Sequence, residues 1–298
     1  MNEMKGFLNF GKEIREIEER YFAFLEDLPV DLVESGNTQF LQRVAEREGK
    51  PSIAFYIPFW FAELFDIEDE EAIKEIAMGN FYLYHGATLR DDAFDKKTNN
   101  TETYLQLSDI TLKKALETYF RLVPEDKNRV FSYLKDLARQ WYLAETYLSK
   151  HQNTILPYTI KDFEMMGKKA ALLKICLPLF CKNRNSAFIN AEIATDLAAT
   201  GYQLMDDLLD RREDWQRGLY TFPVLLTQQY PAEIVVQYVL KQANHYLSSS
   251  KDIFTDIGGK YCVDFLDLSI RQNADIIRTI QEKQKLELEQ MVRKIQQT

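Results

Sequence analysis

Apolar residues recur at helical spacing along almost the whole of this 298-residue chain, and that continuity limits most severely what it can fold into. The spacing predicts helices over 3–27, 30–47, 51–66, 68–95, 103–122, 125–150, 160–181, 186–217, 222–247 and 259–296. Between them stand only short polar connectors such as "DKKTNN" and "KHQNTILP". With 11 Gly, 8 Pro and no Asn-Gly or Asp-Gly pair, the chain lacks the tight-turn chemistry of a β-fold. No stretch reads as an interdomain linker and there is no internal repeat, so one all-α domain over 1–298 is expected.

Composition removes several function classes. A formal net charge of −9 argues against nucleic acid as a partner, because phosphate backbones are bound by basic surface. The opening residues lack the basic-then-apolar build of a secretion signal. The apolar runs "PSIAFYIPFWFAELF" and "ALLKICLPLFC" are shorter than the roughly 20 residues that span a bilayer. A cytoplasmic protein without stable membrane insertion is expected. Cys176, Cys181 and Cys262 have neither the number for a disulfide framework nor the spacing of a zinc site.

Against this acidic background two segments concentrate carboxylates further. "LRDDAFD" places Asp91 and Asp95 four residues apart with Asp92 beside them, and "YQLMDDLLDRRED" repeats the step with Asp206, Asp207, Asp210 and Asp214. On a helix, residues four apart share a face, so like charges repel there, and near a C-terminus they also oppose the macrodipole by about 0.3–1 kcal/mol each. A hard divalent cation would relieve this: Mg²⁺ binds oxygen ligands and bridges one or two carboxylates to substrate phosphates. A solvated acidic face is the plain alternative. The apolar turns before the second cluster favour the metal reading.

The two D-D-x-x-D clusters, with "YQLMDDLLD", "GLYTFP", "KKAALL" at 168–173 and "EGKPS" at 48–52, resemble in type and order the motifs of the trans-isoprenyl diphosphate synthases and the class I terpene synthases that share their fold. The resemblance implies a helical bundle around a deep central cavity, the isoprenoid synthase fold, with a cluster of about three Mg²⁺ ions at its mouth. It implies metal held by Asp91, Asp92 and Asp95 from one wall and by Asp206, Asp207, Asp210 and, one turn on, Asp214 from the other. Lys168 would bind the diphosphate, and Gln203 would orient an aspartate or a metal-bound water. Arg217 stands near the position where Leu219 replaces the family's lysine. Without the resemblance, Lys168 and Lys169 read as ordinary surface lysines.

Departures from the pattern narrow the expectation. Chain-elongating members carry paired arginines after the first motif, where this chain has Lys96, Lys97, Thr98 and Asn99, and Gly49-Lys50 runs into Pro51-Ser52. An ammonium does not reproduce the bidentate guanidinium fork. This favours a terpene synthase acting on a single allylic prenyl diphosphate over a chain-elongating synthase, a prenyltransferase to another acceptor, or a noncatalytic helical partner subunit. Phe55, Phe59, Tyr84 and Tyr202 are candidates to line a carbocation cavity, with core packing as the alternative for each. Gly86 and Ala87, five and four positions before the first motif, are expected to leave room for a C20 chain, with C15 and C25 open. The family often forms homodimers.

Overall fold

The computed structural model describes residues 9–46, 52–94, 100–151 and 154–296, and among them it contains twelve α-helices and no β-strand. They are α1 (Gly11–Glu26), α2 (Val30–Glu46), α3 (Ile57–Leu64), α4 (Glu70–Phe94), α5 (Thr101–Leu122), α6 (Lys127–Leu148), α7 (Ile160–Lys169), α8 (Leu177–Phe180), α9 (Ser186–Arg217), α10 (Phe222–Thr227), α11 (Ala232–Asp256) and α12 (Lys260–Gln296). The all-α expectation holds. Two of the longer helices read from the sequence are divided. The segment 160–181 leaves α-geometry after Lys169, passes through a 3₁₀ turn at Ala171–Cys176 and restarts with Pro178 in the first turn of α8. The segment 222–247 is interrupted between α10 and α11, where Pro231 occupies the N-cap of the second.

The chain groups into two compact units. The first takes the described residues within 1–137, 172–188 and 259–261; the second takes those within 138–171, 189–258 and 262–298. In the first, α4 carries the organisation, and its faces follow from 100° per residue. Phe81 and His85 point into an aromatic core. The Tyr21 ring of α1 stacks on His85 at 4.8 Å and lies 5.1 Å from Phe81, and Phe55 stacks on Phe81 at 4.3 Å. Two turns apart on another face, Gly79 and Gly86 let α5 come close. A Cβ on Gly79 would lie 2.4 Å from the Tyr119 ring, and one on Gly86 would lie 2.7 Å from Leu112 Cγ. Ser108 of α5 donates to the Gly86 carbonyl at 2.7 Å across the same seam. The third face, with Tyr84, Ala87, Thr88 and Asp91, is only half-buried to exposed.

In the second unit Met166 of α7, Leu204 and Leu208 of α9, Val235, Val239, Leu240 and Ala243 of α11 and Ile277 of α12 form one buried apolar cluster. The α7–α9 contact is closest at Gly167, where an added Cβ would stand 2.3 Å from the main-chain oxygen of Asp196. A main-chain atom inside a helix cannot step aside as a side chain can. Gly167→Ala is therefore expected to destabilise the protein by about 3 kcal/mol. Gly11→Ala, at a helical position with open space around it, should be neutral or stabilising by up to about 1 kcal/mol. Urea denaturation of the two variants checks the contrast.

Candidate active site

The second acidic motif occupies the last three turns of α9. Asp206, Asp207, Asp210 and Asp214 fall within an arc of about 100° of the helix, with Gln203 at its N-terminal end. The arc has two flanks: Asp206 and Asp210 are exposed, while Asp207 and Asp214 are 9% and 8% exposed. Burial, which penalises the charged form, pushes the Asp207 carboxyl up to about 7; Asp206 and Asp214 push in the same direction, against a hydrogen bond from Gln203 and the charge of Lys169. The Gln203 Nε2 to Asp207 Oδ1 distance is 2.7 Å. Burial also raises Asp214, assisted by Asp210 and Glu213 and opposed by the hydroxyl of Thr221 and the charge of Arg217.

The segment after α9 holds that flank in place. Gly218, at φ 75°, adopts the left-handed conformation that ends a helix. Its N–H returns to the Trp215 carbonyl at 3.1 Å and that of Leu219 to Asp214 at 2.8 Å, a Schellman closure. Tyr220 N–H then donates to the His151 carbonyl at 3.1 Å, and Thr221 Oγ1 donates to Asp214 Oδ2 at 3.1 Å. Thr221 stands at the N-cap of α10 without capping it, because its hydroxyl is directed to Asp214. Phe222 joins an aromatic group with Tyr158 at 5.4 Å and Phe163 at 5.1 Å. Burial raises the Tyr158 hydroxyl pKa, and the charges of Asp207, Asp162 and Asp214 raise it further.

Two cations were expected here. Lys168 is ion-paired with Asp196 of α9. The lysine whose charge acts on Asp207 is its neighbour Lys169, which also pairs with Glu145 at 3.6 Å. Arg217 is exposed, lies 3.7 Å from Glu213 and acts on Asp214. Tyr202 is engaged in packing: its hydroxyl lies 2.7 Å from Ser269 Oγ and its ring stacks on Phe265.

The first motif ends α4 in the other unit. Asp91 is exposed, and Asp95, with Lys96 to Asn99 and the "EGKP" segment, lies outside the described residues. Asp92, read from the sequence as a metal ligand, is 6% exposed and turned to α2: Arg43 forms an ion pair with its Oδ1, and Gln39 Nε2 approaches Oδ2 at 3.5 Å. Gln39 also donates to Thr88 at 3.0 Å, and its Oε1 lies 3.3 Å from His85 Nδ1. Phe55 belongs to the aromatic core and Phe59 stacks on Phe10 at 4.5 Å, so both serve packing. Tyr84 and Ala87 lie on the half-buried face that leads to Asp91. The space beside Gly86, expected to deepen a cavity, is filled by Leu112.

Among the described residues no group of three or more His, Cys, Asp and Glu side chains is placed to hold a metal ion by itself. The α9 donor set still suits Mg²⁺, which takes one or two carboxylates and completes its shell with water and phosphate oxygens. Arg43, Lys169, Thr221, Tyr158, His151 and Asp162 are the neighbours that sequence spacing did not reveal. The raised Asp207 carboxyl carries a pH signature for metal-free protein. A group with a folded pKa of about 7 and an unfolded value of 3.8 contributes stability below pH 4 that is lost as pH rises through 7. In EDTA, Asp207→Asn should stabilise by on the order of 2 kcal/mol at pH 8 and by little at pH 4; urea titrations at the two pH values measure it.

No helix of the described residues is long and apolar enough to cross a membrane. Neither a scan of protein-family models nor a search of curated protein sequences gives a match. Among solved structures, the geranylgeranyl pyrophosphate synthetase of the archaeon Geoglobus acetivorans is similar to the chain at a TM-score of 0.69 and 17% identity, over 87% of this chain and 98% of that one. The chain therefore has the isoprenoid synthase fold, the all-α architecture of that prenyl diphosphate synthetase.

Proposed function

We propose that the protein binds an allylic prenyl diphosphate through Mg²⁺ that Asp206, Asp207, Asp210 and Asp214 would hold, and ionises it; Asp91 and Asp95 of the first motif are candidates for the same role. The observation that carries this reading is the half-sunken carboxylate stripe of α9, in which burial and two neighbouring carboxylates hold Asp207 at about 7. Such a stripe is unfavourable without a counter-ion and favourable with one. When bound, Mg²⁺ supplies Lewis-acid polarisation of the diphosphate oxygens and charge for the leaving group.

The chain's own residues do the rest. Gln203 fixes one oxygen of Asp207 and Thr221 fixes one oxygen of Asp214, so the remaining lone pairs are oriented before any ligand arrives. Lys169 and Arg217 bring positive charge to the same flank. Lys169 replaces Lys168 as the diphosphate-binding lysine in this reading, because it is Lys169 whose charge acts on Asp207, whereas Lys168 pairs with Asp196. Asp92 anchors α4 to α2 through Arg43 and leaves metal binding in the first motif to the i, i+4 pair Asp91 and Asp95. Tyr84 and Ala87 line the approach of the prenyl tail, and the small side chain of Ala87 admits a C20 chain. Heterolysis of the allylic C–O bond would release pyrophosphate and leave a carbocation that must be kept from water, with Tyr84 as the aromatic ring on the face that leads to Asp91.

With Lys96, Lys97, Thr98 and Asn99 in place of the guanidinium pair, no second diphosphate is bound in bidentate fashion. The reaction is thus cyclisation of, or elimination from, one substrate. The fold shared with a geranylgeranyl pyrophosphate synthetase favours the competing reading, chain elongation. Incubation with geranyl, farnesyl, geranylgeranyl and geranylfarnesyl diphosphates plus Mg²⁺, with and without isopentenyl diphosphate, separates the two by mass spectrometry. A hydrocarbon or alcohol from one substrate alone is expected. A longer diphosphate that requires isopentenyl diphosphate replaces this reading with elongation, and absence of any Mg²⁺-dependent pyrophosphate binding overturns both. Lys169→Ala should weaken Mg²⁺-pyrophosphate binding by about tenfold, the cost of one charged hydrogen bond, and Lys168→Ala by much less, as titration calorimetry would register.

A further inference from the structure

Asp162 belongs to neither acidic motif, yet it is fully buried and takes four hydrogen bonds. Its Oδ1 accepts from Lys150 Nζ at 2.7 Å and from His151 Nε2 at 2.9 Å; its Oδ2 accepts from the N–H of Thr159 at 2.7 Å and from the Thr159 hydroxyl at 2.5 Å. Burial opposes its charge, but these donors prevail and hold the carboxyl below the usual range. The Oδ2 half is the reach-back arm of a capping box at the start of α7. The Oδ1 half does no capping. It gathers a lysine and a histidine from the 3₁₀ turn Ser149–His151 that follows α6.

His151 is only 3% exposed, and its ring stacks on Tyr158 at 4.1 Å. Because a carboxylate only accepts, His151 donates from Nε2, and its buried Nδ1 has no hydrogen-bond partner among the described residues. An apolar ring at this position would avoid that cost. With one face of the imidazole stacked on Tyr158 and one edge bonded to Asp162, the ring is held in place, and the main chain of residue 151 with it. Its carbonyl is the acceptor for Tyr220 N–H, and the next residue, Thr221, donates to Asp214.

We infer that Asp162 and His151 are positioning residues for the second acidic motif: they set the 218–221 turn through the His151 carbonyl, and the turn sets the Asp214 carboxylate through Thr221. The inference deepens the proposed function and rests on it, because the quantity positioned is a metal-ligand oxygen. Neither residue touches substrate or metal; they act through the main chain, so the expected effect is on metal affinity.

The test uses the full chain and titration calorimetry of inorganic pyrophosphate at a series of Mg²⁺ concentrations, with circular dichroism and melting curves to report folding. His151→Phe keeps the ring and its stack and removes the donor, whereas His151→Gln keeps a donor near the Nε2 position. His151→Phe is expected to raise the Mg²⁺ concentration for half-maximal binding by about tenfold, the lower end of what loss of an outer-sphere partner costs. His151→Gln should stay within about twofold of the unsubstituted protein. Asp162→Asn, which keeps the size of the anchor, should shift the midpoint as His151→Phe does and carries the comparison if that variant does not fold. A folded His151→Phe or Asp162→Asn with the native Mg²⁺ midpoint overturns the inference alone, as does a His151→Gln as defective as His151→Phe. Absence of Mg²⁺-dependent binding by the unsubstituted protein overturns the proposed function, and the inference with it.

Discussion

Desolvated like charge on one face of α9 is the constraint from which the rest of the site follows. Two carboxylates one helical turn apart, as Asp210 is from Asp206 and from Asp214, repel by about 3 kcal/mol at the effective dielectric of a protein boundary, and Asp207 and Asp214, two turns apart, are both nine-tenths buried or more. Hydrogen bonds from Gln203 and Thr221 return about 1–3 kcal/mol each. Lys169 and Arg217 act from half-buried and exposed positions, where solvent screens them. These terms leave the Asp207 carboxyl pushed up to about 7, so that its protonated form persists near neutral pH. Under the proposed function a divalent ion would close the gap by bringing two positive charges to the carboxylates, and a diphosphate would in turn offset the charge of the ion. The acidic flank and an anionic ligand are thereby compatible in a protein whose net charge is already negative.

The two acidic motifs meet the same difficulty in different ways. On α4 the buried member, Asp92, is neutralised inside the protein by Arg43. On α9 the buried members have neutral hydrogen-bond partners, an amide and a hydroxyl, and the charges of Lys169 and Arg217 offset theirs in part. Helical geometry explains the division. Asp92 is turned about 100° from Asp91, toward the side of α4 where Phe81 and His85 meet α1, whereas Asp91 shares its face with the half-buried Tyr84 and Ala87. A pair of adjacent aspartates at the end of a helix therefore does two jobs: one anchors the helix and the other remains available to a ligand.

The helices were legible in the sequence because their signal is local, and so was the second motif, whose step of four needs nothing beyond the helix that carries it. Proline explains one error of extent, since Pro231 divides a segment whose apolar spacing alone reads as continuous, whereas α7 ends at Lys169, well before Pro178. The partners of the aspartates were not legible, because they come from far along the chain. Arg43 stands 49 residues from Asp92, and His151 meets the 218–221 turn through a carbonyl that carries no side-chain signature. Lys168 and Lys169 show the same limit at one-residue resolution. Which of two adjacent lysines turns toward Asp207 depends on how α7 is rotated, and the contact of Gly167 with the Asp196 main chain sets that rotation.

The same rotational argument changes how the residues before the first motif bear on substrate length. Gly86 and Ala87 look equivalent as small residues one turn before the aspartates, but they lie about 100° apart on α4. Gly86 is aligned with Gly79, two turns earlier, and both are covered by α5, through Leu112 and Tyr119. A larger residue at 86 would push α5 away before it could shorten any cavity, so its smallness answers to helix packing. Ala87 lies with Tyr84, Thr88 and Asp91 on the half-buried to exposed face, Thr88 at the edge where Gln39 of α2 bonds it. Information about chain length, if this helix holds any, is carried by residues 84, 87 and 88 in register with Asp91, and positions one step out of that register report on the packing of the bundle instead.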